Sequence, residues 1–131
     1  MKRILIVDDE PHVVRVLRLR LEREGYHVEE ANEGKQALSL IRACPPDVLI
    51  TDIQMHGMNG RELCLAVHAE LPEREFLTLV FTSMTAREER DWVKQLPHTE
   101  FLEKPISPRL LSARLSVYFA DRERRPECND V

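Results

Sequence analysis

The 131-residue sequence lacks the features that define several large protein classes. It contains four glycines, three cysteines and 5% aromatic residues. No apolar run approaches the roughly 20 residues of a membrane span, and the N-terminus has neither the long apolar core nor the small-residue cleavage site of a secretory signal. The length suits one compact domain. We therefore predict a single cytoplasmic domain with no membrane segment.

The cysteine content indicates no disulfide framework, and the negative net charge indicates no nucleic-acid surface. Cys44, Cys64 and Cys128 are odd in number and match no metal-ligand spacing, so we expect reduced thiols in ordinary packing or in an exposed tail rather than a redox sensor. The net charge of −4 argues against the basic surface that nucleic-acid binding requires. No direct contact with nucleic acid is predicted.

What the sequence has is a regular alternation of two patterns. Short runs rich in Val, Ile and Leu alternate with longer segments whose apolar positions recur every three or four residues. This alternation predicts an α/β fold in which a parallel sheet is covered by helices on both faces. The predicted strands are 3–8, 27–31, 47–52, 76–82 and 99–103, and the predicted helices lie within 12–26 (stopped by Gly25), 35–43, 61–71, 86–96 and 108–122.

Polar residues gather where the predicted strands end. Asp8 and Asp9 end the first strand, Asp52 the third and Thr82 the fourth, and Lys104 follows the fifth. The carboxyl ends of parallel strands share one edge of the sheet, where ligands bind in such folds. Clustered carboxylates favour a hard divalent cation such as Mg²⁺, which also takes phosphate oxygens. An ionised aspartate is a competent nucleophile toward phosphorus.

A simpler explanation covers part of this pattern. Acidic residues before a helix stabilise its N-terminus through the helix dipole, and Asp8, Asp9 and Glu10 precede one. That explanation does not account for Asp52 and Lys104 at the ends of other strands. We therefore predict a site and assign Glu10 to the helix start.

The motifs ILIVDDEP, DVLITDIQMHGMNG, LVFTSM and FLEKPI, in this order and spacing, resemble the receiver domains of two-component response regulators. The resemblance covers residues 2–120. It implies a flavodoxin-like, doubly wound, five-stranded parallel sheet with strand order 2-1-3-4-5 and five helices. We divide the chain into a receiver domain at 1–120 and a charged tail or linker start at 121–131.

The resemblance also implies a role for each residue at the strand ends. Asp52 would be the phosphoacceptor, Thr82 the switch hydroxyl and Lys104 the phosphate-binding lysine. Asp9 would bind Mg²⁺ directly and Asp8 through water, together with Asp52 and the main-chain carbonyl of Gln54. The phosphoryl donor would be a sensor histidine kinase or a phosphotransfer protein.

Further features follow the same family pattern. Phe101 stands at the position of the switch aromatic, and the Lys104–Pro105 peptide bond is expected to be cis. Gln54 and Met84 occupy positions that influence how fast the phosphoryl group is lost, and the apolar Met84 predicts slow loss. His56 departs from the pattern, which usually has proline there, and we interpret it as an exposed loop residue.

Several alternatives remain at this stage. A haloacid-dehalogenase-like phosphatase also uses an aspartate and Mg²⁺, but it usually has a second aspartate where this chain has Gln54. A scaffold that no longer accepts phosphate is another. A nucleotide-binding domain is disfavoured because no GxGxxG or GKS/GKT motif occurs.

We expect a signalling switch that assists only its own phosphorylation and dephosphorylation. We also expect a homodimer face formed by the fourth helix, the fifth strand and the last helix. Trp92 fits either that face or the core.

Overall fold

The computed structural model describes residues 2–82 and 87–124, without the side chains of 82, 87–89 and 124. Strands and helices alternate along the chain, as the hydrophobic pattern predicts. The strands are β1 (Arg3–Val7), β2 (His27–Ala31), β3 (Val48–Asp52), β4 (Leu77–Thr82) and β5 (Thr99–Glu103), and the helices are α1 (Pro11–Arg23), α2 (Gly34–Ala43), α3 (Gly60–Glu70), α4 (Arg87–Gln95) and α5 (Pro108–Arg124).

The five strands form one parallel sheet in the order β2-β1-β3-β4-β5. This confirms the predicted fold class and strand order. The central strand β3 is buried along its whole length, as expected for a strand covered on both faces. The ends of β1 and β3 lie side by side, because Val7 pairs with Thr51.

Alternate residues of each strand point to opposite faces of the sheet and build separate cores. Ile4 and Ile6 of β1 face α1 and α5, where they pack with Leu17 and Leu115. Leu5 and Val7 belong to the core on the other face, with residues of α2 and α3. A third cluster joins α3 and α4 to β4. Helices therefore cover both faces of the sheet.

Local sequence explains where the helices begin and end. Pro11 starts α1 because its fixed φ suits the first helical turn and its missing N–H is not needed there. Gly25 follows the end of α1 with φ +96°, a left-handed conformation that glycine adopts readily. Asn59 and Glu62 form a reciprocal capping box at the start of α3, with hydrogen bonds of 2.8 and 2.9 Å.

The described elements differ from the predicted ones at several ends. The helix boundaries shift by one or two residues, and α5 continues to Arg124, four residues into the segment 121–131. Residues 125–131, including Cys128, lie outside the described residues. Within the described ranges, no helix combines the length and hydrophobicity needed to span a membrane.

The structure decides between the two placements considered for Trp92. Its side chain is 6% exposed and packs in the third cluster with Val80, Val93 and Leu96. Trp92 is therefore a core residue beneath the face formed by α4, β5 and α5, rather than an exposed interface anchor. Cys64 is a buried free thiol and Cys44 an exposed one.

Candidate functional site

Asp52, the last residue of the central strand, is held by contacts on both carboxylate oxygens. The residue is 6% exposed. The backbone N–H of Ile53 donates a 2.8 Å hydrogen bond to Oδ1, and the ammonium of Lys104 lies 3.1 Å from Oδ2. The carboxylate is therefore fixed at the carboxyl edge of the sheet with a cation beside it.

Lys104 links Asp52 to a second acid. It follows β5, the Lys104–Pro105 peptide bond is cis, and its Nζ lies 3.7 Å from Oε1 of Glu10. Burial alone would lower the pKa of Lys104, but its hydrogen bond with Asp52 and the charges of the surrounding carboxylates outweigh burial and raise that pKa. The ammonium is thus held in its charged form.

Asp8 is the most deeply buried acid of the group, at 3% exposure. Its Oδ1 accepts a 2.9 Å hydrogen bond from the backbone N–H of Glu10, while its Oδ2 is buried without a hydrogen-bond partner among the residues that the structure describes. Burial, together with the negative charges of Asp52 and Glu10, raises the pKa of Asp8 to about 6, although the Glu10 N–H and Lys104 act in the opposite direction.

Three of the acids can share one cation. Carboxylate oxygens of Asp8, Glu10 and Asp52 lie within 4.8 Å of one another. An all-oxygen donor set of this charge suits Mg²⁺, and the unpartnered Oδ2 of Asp8 is a buried acceptor that a cation or its water would satisfy. The residues present therefore fit a divalent metal ion.

The sequence did not indicate that the side chain of Glu10 lies within the site. The sequence predicts a role at the helix start, and Glu10 is the N-cap residue of α1, but its side chain makes no capping hydrogen bond and faces Lys104 instead. No pattern in a single sequence separates the third acid of a run from the first two.

Asp9 is not in the 4.8 Å set of described acids. It is half-buried and lines, with Asp8, a cavity of about 530 Å³. Its direct contact with Mg²⁺ stays a prediction.

The other predicted site residues are only partly described. Gln54 and His56 are exposed in the loop between β3 and α3, and Phe101 is half-buried in β5 against the third cluster. Thr82 ends β4 at the same sheet edge, but its side chain and the whole of Met84 lie outside the described residues. Their predicted roles as switch and tuning residues remain predictions.

Comparison with known proteins agrees with this geometry. The sequence profile of the response regulator receiver domain matches residues 4–116. The chain is 33% identical over 118 residues to the alkaline phosphatase synthesis transcriptional regulatory protein PhoP of Bacillus subtilis, which covers 88% of this chain and 48% of PhoP. It is 33% identical over 113 residues to the response regulator PleD of Caulobacter vibrioides, covering 86% of this chain and 25% of PleD.

Solved structures show the same fold. The chemotaxis protein CheY4 of Vibrio cholerae matches with a TM-score of 0.81 and 31% identity, over 89% of this chain and 98% of CheY4. A CheY-like receiver domain protein of Methanospirillum hungatei matches with a TM-score of 0.86 and 27% identity, over 95% and 98% of the two chains. The chain belongs to the response regulator receiver domain family of two-component signal transduction.

Family membership bears on the acidic site of this chain and on how far its longer relatives can be compared with it. Receiver domains act as signalling switches and bind Mg²⁺ at an acidic pocket, and this chain has an acidic cluster at the corresponding edge of its sheet. The chain spans half or less of the length of the PhoP and PleD relatives. The activities that those longer proteins have beyond their receiver domains are therefore not assigned to this chain.

Proposed function

We propose that this chain accepts a phosphoryl group on Asp52 from a histidine kinase or a phosphotransfer protein. The observation that carries the proposal is the carboxylate of Asp52, buried at the sheet edge with Lys104 at 3.1 Å and in a cluster with Asp8 and Glu10. An isolated structural ion pair would not need two further acids beside it, because each adds repulsion.

The reaction follows from the placement of these groups. An oxygen of Asp52 forms a bond to the phosphorus of a phosphohistidine while the phosphorus–nitrogen bond breaks, and the leaving imidazole keeps the electron pair and takes a proton from water. Oδ1 is held by the Ile53 N–H, so Oδ2, on the Lys104 side, is the oxygen we assign to attack. Lys104 then pairs with the new phosphoryl oxygens. Mg²⁺, when bound, neutralises charge on the transferring oxygens.

Phosphorylation of Asp52 adds about −1.5 to −2 charges at one point of the sheet edge. In the proposed switch, Thr82 and Lys104 turn toward the phosphoryl group, and Phe101 turns into the space that Thr82 leaves. The outer face of α4, β5 and α5 changes in consequence.

Leu110 and Val117 of α5 are 71% and 55% exposed. We propose that the face formed by α4, β5 and α5 is the homodimer interface. Sedimentation with and without beryllofluoride tests this.

The direct test uses acetyl phosphate with Mg²⁺ as phosphodonor. The parent should gain the mass of one phosphoryl group, and Asp52→Asn should not. Asp91→Asn is the matched control, since Asp91 is an exposed aspartate of α4 and its replacement should leave labelling unchanged. Labelling of Asp52→Asn at the parent rate would show that the acceptor is elsewhere. Absence of both labelling and Mg²⁺ binding in the parent would favour the scaffold alternative.

The phosphodonor protein must approach the same edge of the sheet. A groove of about 540 Å³ next to the site is lined by Val13 and Val16 of α1 and by Ile106, and it shares Glu10 and Lys104 with the acidic cluster. We propose this groove as the place where the donor protein docks, because its apolar walls adjoin the groups that meet the phosphoryl group.

Val16 provides the test of the groove, because its side chain is 53% exposed and its replacement should leave the core intact. Val16→Asp should slow transfer from a purified histidine kinase that phosphorylates the parent, while labelling by acetyl phosphate stays at the parent rate. Equal slowing with both donors would show instead that the substitution disturbs the site itself.

A further inference from the structure

Arg90 of α4 makes two contacts with β5 that link these elements beside the site. Its Nη2 lies 3.1 Å from Oε2 of Glu103, and its guanidinium carbon lies 5.0 Å from the centre of the Phe101 ring. Its Nε is buried and has no hydrogen-bond partner among the described residues. The described contacts of the guanidinium group are therefore with the ring and carboxylate of β5.

The Phe101 ring is half-buried and contacts the cluster that contains Trp92, Val93 and Leu96. A cation over an aromatic ring is attracted by the negative face of the ring, so the ring cannot turn away without losing this attraction. Glu103 is the last residue of β5 and directly precedes Lys104. The same arginine thus contacts the proposed switch aromatic and the residue next to the phosphate-binding lysine.

We propose that Arg90 is a positioning residue of the switch, holding Phe101 in the half-buried orientation of this structure and opposing the form that follows phosphorylation. The inference rests on the proposed function, since it assigns Phe101 the switching movement. A contact that is present in only one of two forms biases the equilibrium by its own free energy. A partly exposed cation–π contact together with a partly exposed ion pair is worth about a threefold to tenfold bias.

The experiment titrates the full chain with beryllofluoride and Mg²⁺ and follows the fluorescence of Trp92, the only tryptophan of the sequence. Arg90→Met keeps an apolar stem of similar length and removes the charge. Its apparent Kd for beryllofluoride should fall about threefold to tenfold relative to the parent. Arg114→Met is the matched control, because Arg114 pairs with Glu100 of β5 and has no described contact with Phe101.

Two further variants separate positioning from a general structural effect. Arg90→Lys keeps a cation over the ring and should return the Kd most of the way to the parent value. In a Phe101→Leu background, Arg90→Met should change the Kd by a clearly smaller factor than in the parent, because the ring contact is gone and only the ion pair with Glu103 is then lost. In the absence of beryllofluoride, Arg90→Met should also increase quenching of Trp92 by acrylamide.

The outcomes distinguish this inference from the proposed function. A parent that does not respond to beryllofluoride, or a response that persists in Asp52→Asn, overturns the proposed function and the switch role of Arg90 with it. A parent that responds, together with an Arg90→Met Kd equal to or above the parent value, overturns the role of Arg90 alone. An equal change in Arg114→Met would also overturn it, since the effect would then belong to the face as a whole.

Discussion

Replacing Asp8 by asparagine should stabilise the metal-free protein at neutral pH, although it removes a group of the proposed metal site. Asp8 is 3% exposed, has Asp52 and Glu10 beside it, and has an oxygen without a described partner. A buried, crowded carboxylate costs free energy whenever it is ionised. Asparagine removes the charge and keeps an oxygen that can accept the Glu10 N–H.

The size of the effect follows from the raised pKa of Asp8, about 6 against an ordinary value of 3.8. At about 1.4 kcal/mol per pKa unit, this difference corresponds to about 3 kcal/mol. Because the pKa of this acid is raised by folding, the native state binds the proton more tightly than the unfolded chain does. The cost is fully present above about pH 6 and disappears as the pH falls from about 6 toward 4.

The assay is urea unfolding in EDTA, followed by circular dichroism, at pH values from 7.5 to 4.5. Asp8→Asn should exceed the parent in free energy of unfolding by about 1 to 3 kcal/mol at pH 7.5, and the gap should shrink as the pH falls. The exposed Asp91→Asn variant should show no such gap. Adding Mg²⁺ should narrow the gap at pH 7.5, because a ligand that binds the native parent stabilises it.

A gap that is absent at pH 7.5 would refute the reasoning, as would a gap that stays constant down to pH 4.5. The first result would mean that the burial of Asp8 is fully offset in the metal-free protein. The second would mean that Asp8→Asn acts by packing rather than by removing a charge.

Three further predictions concern stability and thiol reactivity. Gly60→Ala should lower both the free energy of unfolding and the rate of labelling by acetyl phosphate, because a Cβ there would lie 2.1 Å from the carbonyl oxygen of Asp52. Leu79→Ala, in the core on the α1–α5 face, should cost about 3 kcal/mol in urea unfolding. Iodoacetamide at pH 8 should alkylate the exposed Cys44 and leave Cys64 unmodified, because burial raises the pKa of Cys64 to about 12. Peptide mass spectra measure this, and equal modification of both thiols would contradict the buried placement of Cys64.

Much of the fold can be predicted from the sequence because local patterns carry it. The strands at 27–31 and 99–103 have the predicted bounds, because each is a short apolar or alternating run and the strand stops where that pattern stops. Helix ends are predicted less closely, because they depend on caps such as the extended backbone of Glu10 before Pro11. The strand order came with the family resemblance, since no local pattern specifies which strands become neighbours.

The acids and the lysine at the strand ends could be located from the sequence alone, because in a parallel sheet every strand end reaches the same edge. Which side chains turn toward one another was decided by the tertiary structure. Glu10 faces Lys104 because Pro11 starts α1 directly after it, and Trp92 is buried because α4 packs that side against β4. The contact of Arg90 with Phe101 joins two elements whose spacing depends on that packing. Sequence periodicity records which face a residue occupies, whereas distances between faces exist only once the helices have packed on the sheet.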